Sequence, residues 1–221
     1  MSDNSFELYA FWRTSATYRV RVALALKGLT AKERIVDLEK GEQRDPEFLK
    51  LNPMGAIPAL RVSNDAAPLT QSLAILEYLE ETAPEPALLP ADPLGRARVR
   101  SLALMMAADT HPLVVPRVRK VLTGEHGFDA EAWKAWQTRW FTTGLQAMEQ
   151  RLAAEPDTGT FCHGDRVTIA DICLCSIPAV MQVFGIKAEG VPTVDRIVAA
   201  CNAMPEFADA DPFRQEGAPA R

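Results

Sequence analysis

Cysteine is scarce and one-sided in this 221-residue chain: Cys162, Cys173, Cys175 and Cys201 are the four, with none before position 162. No C-x-x-C pair and no zinc-ligand spacing occurs, which excludes a dithiol redox motif and a cysteine-held zinc. Cys173 and Cys175 lie in the apolar run "ADICLCSIPAV" and read as buried structural thiols. The three histidines, His111, His126 and His163, form no ligand cluster, so no metal is expected. There is no apolar run long enough to span a bilayer. The start "MSDNSFELYAFW" lacks the basic and apolar regions of a secretory signal, and "EGAPAR" carries no lipidation pattern, so a cytoplasmic protein is expected, with no membrane partner. A formal charge of -5 with scattered basic residues excludes a phosphate-backbone partner, since duplex binding needs a concentrated cationic footprint; nucleic acid is not expected.

What is present is an ordinary globular composition, 48% hydrophobic and 24% charged. Up to about residue 84 the elements alternate. "FELYAFW" and "AKERIVDL" read as strands, "PALRVS" and "APLT" as a hairpin, "DPEFLKLN" as a short helix and "QSLAILEYLEET" as a longer one. Val20, Val22, Leu24 and Leu26 alternate with period two, yet they are also i,i+4 pairs. Boundary signals decide for a helix over about 16–27: Thr14 and Ser15 are N-cap candidates, and Gly28 stands where a C-terminal glycine would. "TAPEPALLPADP" then packs four prolines into twelve residues, after which strand signals vanish. Helices are expected over "GRARVRSLALMMAADTH", "AEAWKAWQTRWFTTGLQAMEQRLAA", "TIADICLCSIPAVMQVF" and "TVDRIVAACNAM". Trp133, Trp136 and Trp140 recur at helical spacing and read as one packed face. The plan is an α/β domain over 1–84, a proline-rich linker over 85–91 and an all-α domain over 92–221.

The junction "FWRTSATYRVRVALALKG" carries the chemistry. A helix start supplies unpaired N–H groups and partial positive charge, and hydroxyls there add a donor; together they form an anion site. A free thiol has a pKa of roughly 8.5, so Thr14 or Ser15 would raise the ionised fraction of a thiol brought from outside. Equally, the two residues serve as plain N-caps. "NPMGAIPAL" sets Pro58 at the head of a strand, where proline is confined to an edge, an end or a cis bond; a cis Ile57-Pro58 bond would turn the Ile57 backbone outward for an extended peptide ligand. "LTQSLAI" puts Gln71 and Ser72 at a second strand-to-helix junction suited to a carboxylate. In "TIAD", Thr168 and Asp171 read as a structural capping box. His163 and "RARVR" read as solvated surface.

Taken together, "FWRTSATYRVRVALALKG", "KGEQRDPEFLKLNPMGAIPAL", "LTQSLAILEYLEE" and "LLPADPLGRARVR", in that order, resemble the zeta class of the cytosolic glutathione transferases, which includes maleylacetoacetate and maleylpyruvate isomerases. The resemblance implies a thioredoxin-like N-terminal domain and an all-α C-terminal domain, with glutathione as cofactor and a homodimer as the assembly. It places Thr14 and Ser15 at the glutathione sulfur, Ile57 and Pro58 at the cysteinyl backbone, Gln71 and Ser72 at the γ-glutamyl carboxylate, and Gln43 near the glycyl end. "DTHPL" brings Asp109 and His111 to glutathione, and Arg13 and Arg117 to the second substrate. The sequence departs from the class at Ala16, where a cysteine is characteristic, at Tyr18, where tryptophan is common, and at Val183, where the isomerases carry a carboxylate-gripping arginine.

Three activities are compatible with this pattern: cis–trans isomerisation of a maleyl-type dicarboxylate by thiolate addition and elimination, conjugation of glutathione to small electrophiles such as α-halo acids, and ligand binding without turnover. The first is the expectation carried forward.

Overall fold

The computed structural model describes residues 6–63 and 65–220. They fall into two compact units: the stretch up to Pro86 together with the tail from Asp209, and Ala87–Ala208. The first unit thus includes C-terminal residues that the sequence groups with the helical part. Phe213 explains their placement, since its ring lies 5.8 Å from that of Trp12.

In the first unit, β1 (Phe6–Ala10), α1 (Ser15–Leu26) and β2 (Ala31–Ile35) form a parallel β-α-β unit. A short helix α2 (Pro46–Leu51), strands β3 (Ala59–Arg61) and β4 (Leu69–Thr70), and helix α3 (Ser72–Thr82) follow. The sheet order is β2-β1-β3-β4, with β3 antiparallel to both neighbours. Strands are shorter than the sequence suggests: β1 stops at Ala10 and β2 at Ile35, and the hairpin strands hold three and two residues. Leu8, Ala10, Ala59 and Leu60 are buried, as are Val20, Val22 and Ala23 of α1 and Ile75, Leu76 and Leu79 of α3.

Helix α1 resolves the ambiguous alternation. Every residue from Ser15 to Leu24 is buried, so no polar face marks its periodicity. Its arginines are accommodated individually: Arg21 grips Glu33 of β2 through two 2.7 Å hydrogen bonds, and Arg19 donates from Nε to Ser72 Oγ. The helix ends in a Schellman motif, with Gly28 at φ 65°, its N–H on Ala25 O and the Leu29 N–H on Leu24 O. Just before the turn, Lys27 Nζ bonds Glu80 Oε2 at 2.6 Å and Pro86 O at 2.8 Å, tying α1 to α3 and to the chain leaving the unit.

The second unit is helical: α4 (Pro93–Leu104), α5 (Pro116–Glu125), α6 (Ala130–Ala154), α7 (Ile169–Met181), α8 (Pro192–Asn202) and the short α9 (Pro205–Ala208). Between α4 and α5 the chain widens into a π-helical turn over Met105–Thr110 and tightens into a 3-10 turn over His111–Val114. Its core includes Leu102, Met106, Phe141, Leu145, Met148, Ile172, Leu174, Ile177 and Ile197. All four cysteines are buried and none is in a disulfide, burial being what the sequence predicts for Cys173 and Cys175. Burial pushes the Cys162 and Cys175 thiols well above their usual range. Trp133 is buried, while Trp136 and Trp140 are half-buried and meet edge to face at 5.6 Å. The Trp136 indole donates to Leu113 O at 2.7 Å.

One expectation is overturned. "RARVR" is not wholly solvated: Arg98 keeps only 10% of its side chain exposed. It binds Glu155 Oε2 and Cys162 O at 2.6 Å each, Thr158 Oγ1 at 2.9 Å and His163 Nδ1 at 3.2 Å. A guanidinium offers five donors in a fixed plane, and here it gathers a carboxylate, a hydroxyl, an imidazole and one loop carbonyl.

Candidate functional site

The strand-to-helix junction after β1 separates the two hydroxyls that the sequence left equivalent. Thr14 is the N-cap of α1: its φ of -98° and ψ of 131° are extended, and its Oγ1 accepts from Thr17 N at 3.2 Å. That hydroxyl also donates to Thr17 Oγ1 at 2.6 Å, so it is committed to the helix. Ser15 is the first helical residue and 1% exposed, and its Oγ has no hydrogen-bond partner. Leaving a buried hydroxyl unpaired costs about 1–3 kcal/mol. Ser15 therefore offers an unused donor beside the first-turn amides, which no intrahelical carbonyl can satisfy.

A second orphan belongs to the same unit. Gln43 sits in a 3-10 turn over Glu42–Arg44, and its Oε1 is buried without a partner. The loop from Asn52 to Pro58 lies against this turn at Gly55, which has φ 57°; a Cβ there would come within 2.8 Å of Gln43 O. Buried Asn52 builds the loop, donating from Nδ2 to Ala56 O at 2.6 Å and accepting from Met54 N at 3.1 Å. The Ile57-Pro58 bond is cis.

The β3–β4 ladder pairs Leu60 with Leu69 and Ala59 with Thr70; past the last pair one strand leads back to the cis Ile57-Pro58 bond and the other runs on into Gln71 and Ser72. Gln71 has φ 67° and is the one described non-glycine residue with positive φ. Such a conformation costs on the order of 1–3 kcal/mol, and strain of this kind gathers where a ligand is held. Ser72 opens α3 and is 6% exposed, with its Oγ accepting from Arg19 Nε at 3.0 Å. Arg19 is the functional candidate that the sequence reading passed over.

The remaining candidates are placed differently. Arg13 is partly exposed and pairs with Glu39 at 2.7 Å, its guanidinium near the Phe11 and Trp12 rings. In the helical unit, exposed Asp109 lies in the π-helical turn and half-buried His111 opens the 3-10 turn. Gly144 of α6 lets this segment seat closely, since a Cβ there would collide with Thr110 Oγ1. Arg117 is exposed in the first turn of α5. Val183 is half-buried in a 3-10 turn over Gln182–Phe184. Among the described residues no cluster of histidine, cysteine or carboxylate side chains suits a metal, and no helix is long and apolar enough to cross a membrane.

The "TIAD" capping box is present. Asp171, fully buried, takes Cys162 N at 2.7 Å and both Thr168 N and Thr168 Oγ1 at 2.8 Å. Burial raises its carboxyl above the usual range, against the pull of those donors.

The first unit thus holds an unpaired buried hydroxyl at one helix N-terminus, a second unpaired buried acceptor at Gln43, a cis Ile57-Pro58 bond and a second helix start at Ser72, and helix starts of this kind suit anionic groups. Comparison with known proteins gives the family. Residues 4–81 match the N-terminal domain of glutathione S-transferase. A maleylacetoacetate isomerase of Pseudomonas aeruginosa is 41% identical over 97% of this chain and 99% of its own length. The crystal structure of a maleylacetoacetate isomerase from Methylobacterium extorquens, with bound malonate and glutathione, superposes with TM-score 0.94 at 48% identity, covering 97% of this chain and 100% of the other. A maleyl pyruvate isomerase in its holo form, described as a bacterial zeta-class glutathione transferase, gives TM-score 0.91 at 38% identity over 96% and 100%. Identity at this level along nearly the whole length places the chain in the glutathione S-transferase family, within its zeta class.

Proposed function

We propose that this protein is a glutathione-dependent cis–trans isomerase of a maleyl-type dicarboxylate, the activity named for the relatives that align over its full length. The observation that carries the reading is the buried, unpartnered Ser15 Oγ at the start of α1. Glutathione, when bound, would supply a nucleophilic sulfur able to add reversibly to the double bond and so free it to rotate. Ser15 and the neighbouring amides hold that sulfur as thiolate. Lowering a thiol pKa from about 8.5 to 7 requires about 2 kcal/mol, and a helix start (up to ~1) plus one hydrogen bond to a charged group (~1.5–3) supplies it.

The other residues orient and clamp. Ile57 pairs its backbone with the cysteinyl unit, Gln71 and Ser72 take the γ-glutamyl carboxylate, and Gln43 serves the glycyl end. The family resemblance adds Asp109 and His111 as candidate glutathione contacts. Arg13 and Arg117 neutralise substrate carboxylate and the enolate charge that develops on addition. The assembly is a homodimer and the location cytoplasmic. The test is incubation with maleylpyruvate or maleylacetoacetate and a trace of glutathione: the fumaryl isomer forms and glutathione is not consumed. Absence of that product, with glutathione bound, rejects the reading.

Val183 supports a second reading. An apolar residue stands where the resemblance implies an arginine for the diacid, and a charged clamp in a dry site is worth a few kcal/mol. Conjugation of glutathione to an α-halo acid is the corresponding activity. Val183→Arg discriminates, lowering KM for the maleyl diacid if that position faces its carboxylate.

A further inference from the structure

Arg19 is 2% exposed, and its Nε lies 3.0 Å from Ser72 Oγ. Direction is fixed by chemistry, because a guanidinium has donors only and a serine hydroxyl has one donor and two acceptor sites. In this bond Ser72 must accept. Its own proton is thereby left for another acceptor, and at a buried helix start that acceptor is an anion. Arg19 also stands four residues after Ser15, so the two share one face of α1. A single helix face thus reaches toward two ends of one ligand: Ser15 toward a sulfur, and Arg19, through Ser72, toward a carboxylate.

We propose that Arg19 is a positioning residue for recognition of the γ-glutamyl carboxylate, holding Ser72 Oγ in the orientation that donates to it. This rests on the glutathione reading above. Arg19 touches neither thiol nor electrophile; it acts on Ser72, and it polarises that hydroxyl into a stronger donor. Its effect is therefore confined to thiols that carry a γ-glutamyl group.

The experiment compares glutathione with cysteinylglycine, which lacks that group, as thiol substrates with an activated aryl halide. Arg19→Met raises KM for glutathione about tenfold, the size of one lost hydrogen bond, while kcat at saturation and kcat/KM for cysteinylglycine stay unchanged. Arg19→Lys, which restores a donor and the charge, recovers part of the loss. Added to Ser72→Ala, the Arg19→Met change has no further effect. Equal losses with both thiols, or an Arg19→Met loss of the same size with and without Ser72, overturn the proposal. Should Arg19→Met fail to fold, Ser72→Ala alone decides: a glutathione KM at the wild-type value overturns it, and a rise confined to glutathione supports it. A wild-type protein that uses neither thiol overturns the glutathione reading itself.

Discussion

Gly55 approaches the carbonyl oxygen of Gln43 so closely that a Cβ on Gly55 would lie 2.8 Å from it, and 2.9 Å from the Arg44 guanidinium. The arginine can swing away, but the backbone oxygen cannot, and φ 57° disfavours any side chain. Two segments that bear glutathione candidates, the turn with Gln43 and the loop with Ile57, therefore meet at a point that tolerates glycine alone. Gly55→Ala is expected to lower the urea midpoint, by about 1–2 kcal/mol in stability, and to raise KM for glutathione in the folded fraction. Unchanged KM would show that the two segments bind independently.

Thr14 and Ser15 are adjacent hydroxyls with opposite assignments. Thr14→Ala removes a cap and should cost about 1 kcal/mol of stability with modest loss of turnover. Ser15→Ala removes a buried hydroxyl that has no partner within the protein, so stability should hold or rise while turnover falls more than tenfold. Thermal melts and turnover measured on both variants check the crossing. A stable, fully active Ser15→Ala would move the sulfur elsewhere.

The contrast shows what sequence can carry. Caps, the Gly28 terminus and the order of elements follow from local chemistry, so they were legible, and the family motifs named the residues proposed for the site. Which hydroxyl is free depends on where Thr17 lies, and that emerges only once the turn closes. The Arg19–Ser72 bond joins residues 53 apart, a relation no local pattern encodes. Arg98 was misjudged for the same reason: its partners Thr158, Cys162 and His163 come from a distant loop, so a basic helical run looked solvated.

Gln71 holds a positive φ at the mouth of α3, where glycine would be relaxed. Gln71→Gly should stabilise the protein by about 1 kcal/mol, against the entropy that glycine adds to the unfolded chain. If Gln71 takes the γ-glutamyl carboxylate as proposed, the same change should also weaken glutathione binding. Calorimetric titration alongside melting resolves both effects. A tighter complex would mean that the strain serves something other than this ligand.

Glu155 sits between Arg98 and Arg151, bonded at 2.6 Å to each. Burial draws its carboxyl upward, but the two guanidinium hydrogen bonds and charges together hold it below its ordinary 4.5. A folded-state pKa below the unfolded one contributes stability that is present above pH 4.5 and is lost as pH falls through the depressed value. Wild-type urea midpoints should therefore drop across that acidic window. In Glu155→Gln the neutral-pH midpoint should already be lower and the acidic drop smaller. Parallel pH profiles for the two proteins would remove Glu155 from the acid response.

Asp171 has the opposite sign. Its carboxyl is raised by burial, so its contribution is most favourable below the unfolded value of 3.8 and declines as pH rises through the raised folded value. Yet removing the carboxylate should not stabilise the protein at neutral pH, because three donors converge on it, from Cys162 N, Thr168 N and Thr168 Oγ1. An asparagine there must turn an NH₂ toward at least one of those donors, and an alanine leaves all three unpaired. Asp171→Asn should cost about 2–3 kcal/mol and Asp171→Ala more, each buried orphan adding about 1–3 kcal/mol. Glutathione affinity in the folded fraction should not change, since Asp171 anchors α7 and lies within the helical unit. Melting and ligand titration on the same samples separate the two quantities, and a loss of affinity in a variant of intact stability would give this carboxylate a part in the site that its geometry does not supply.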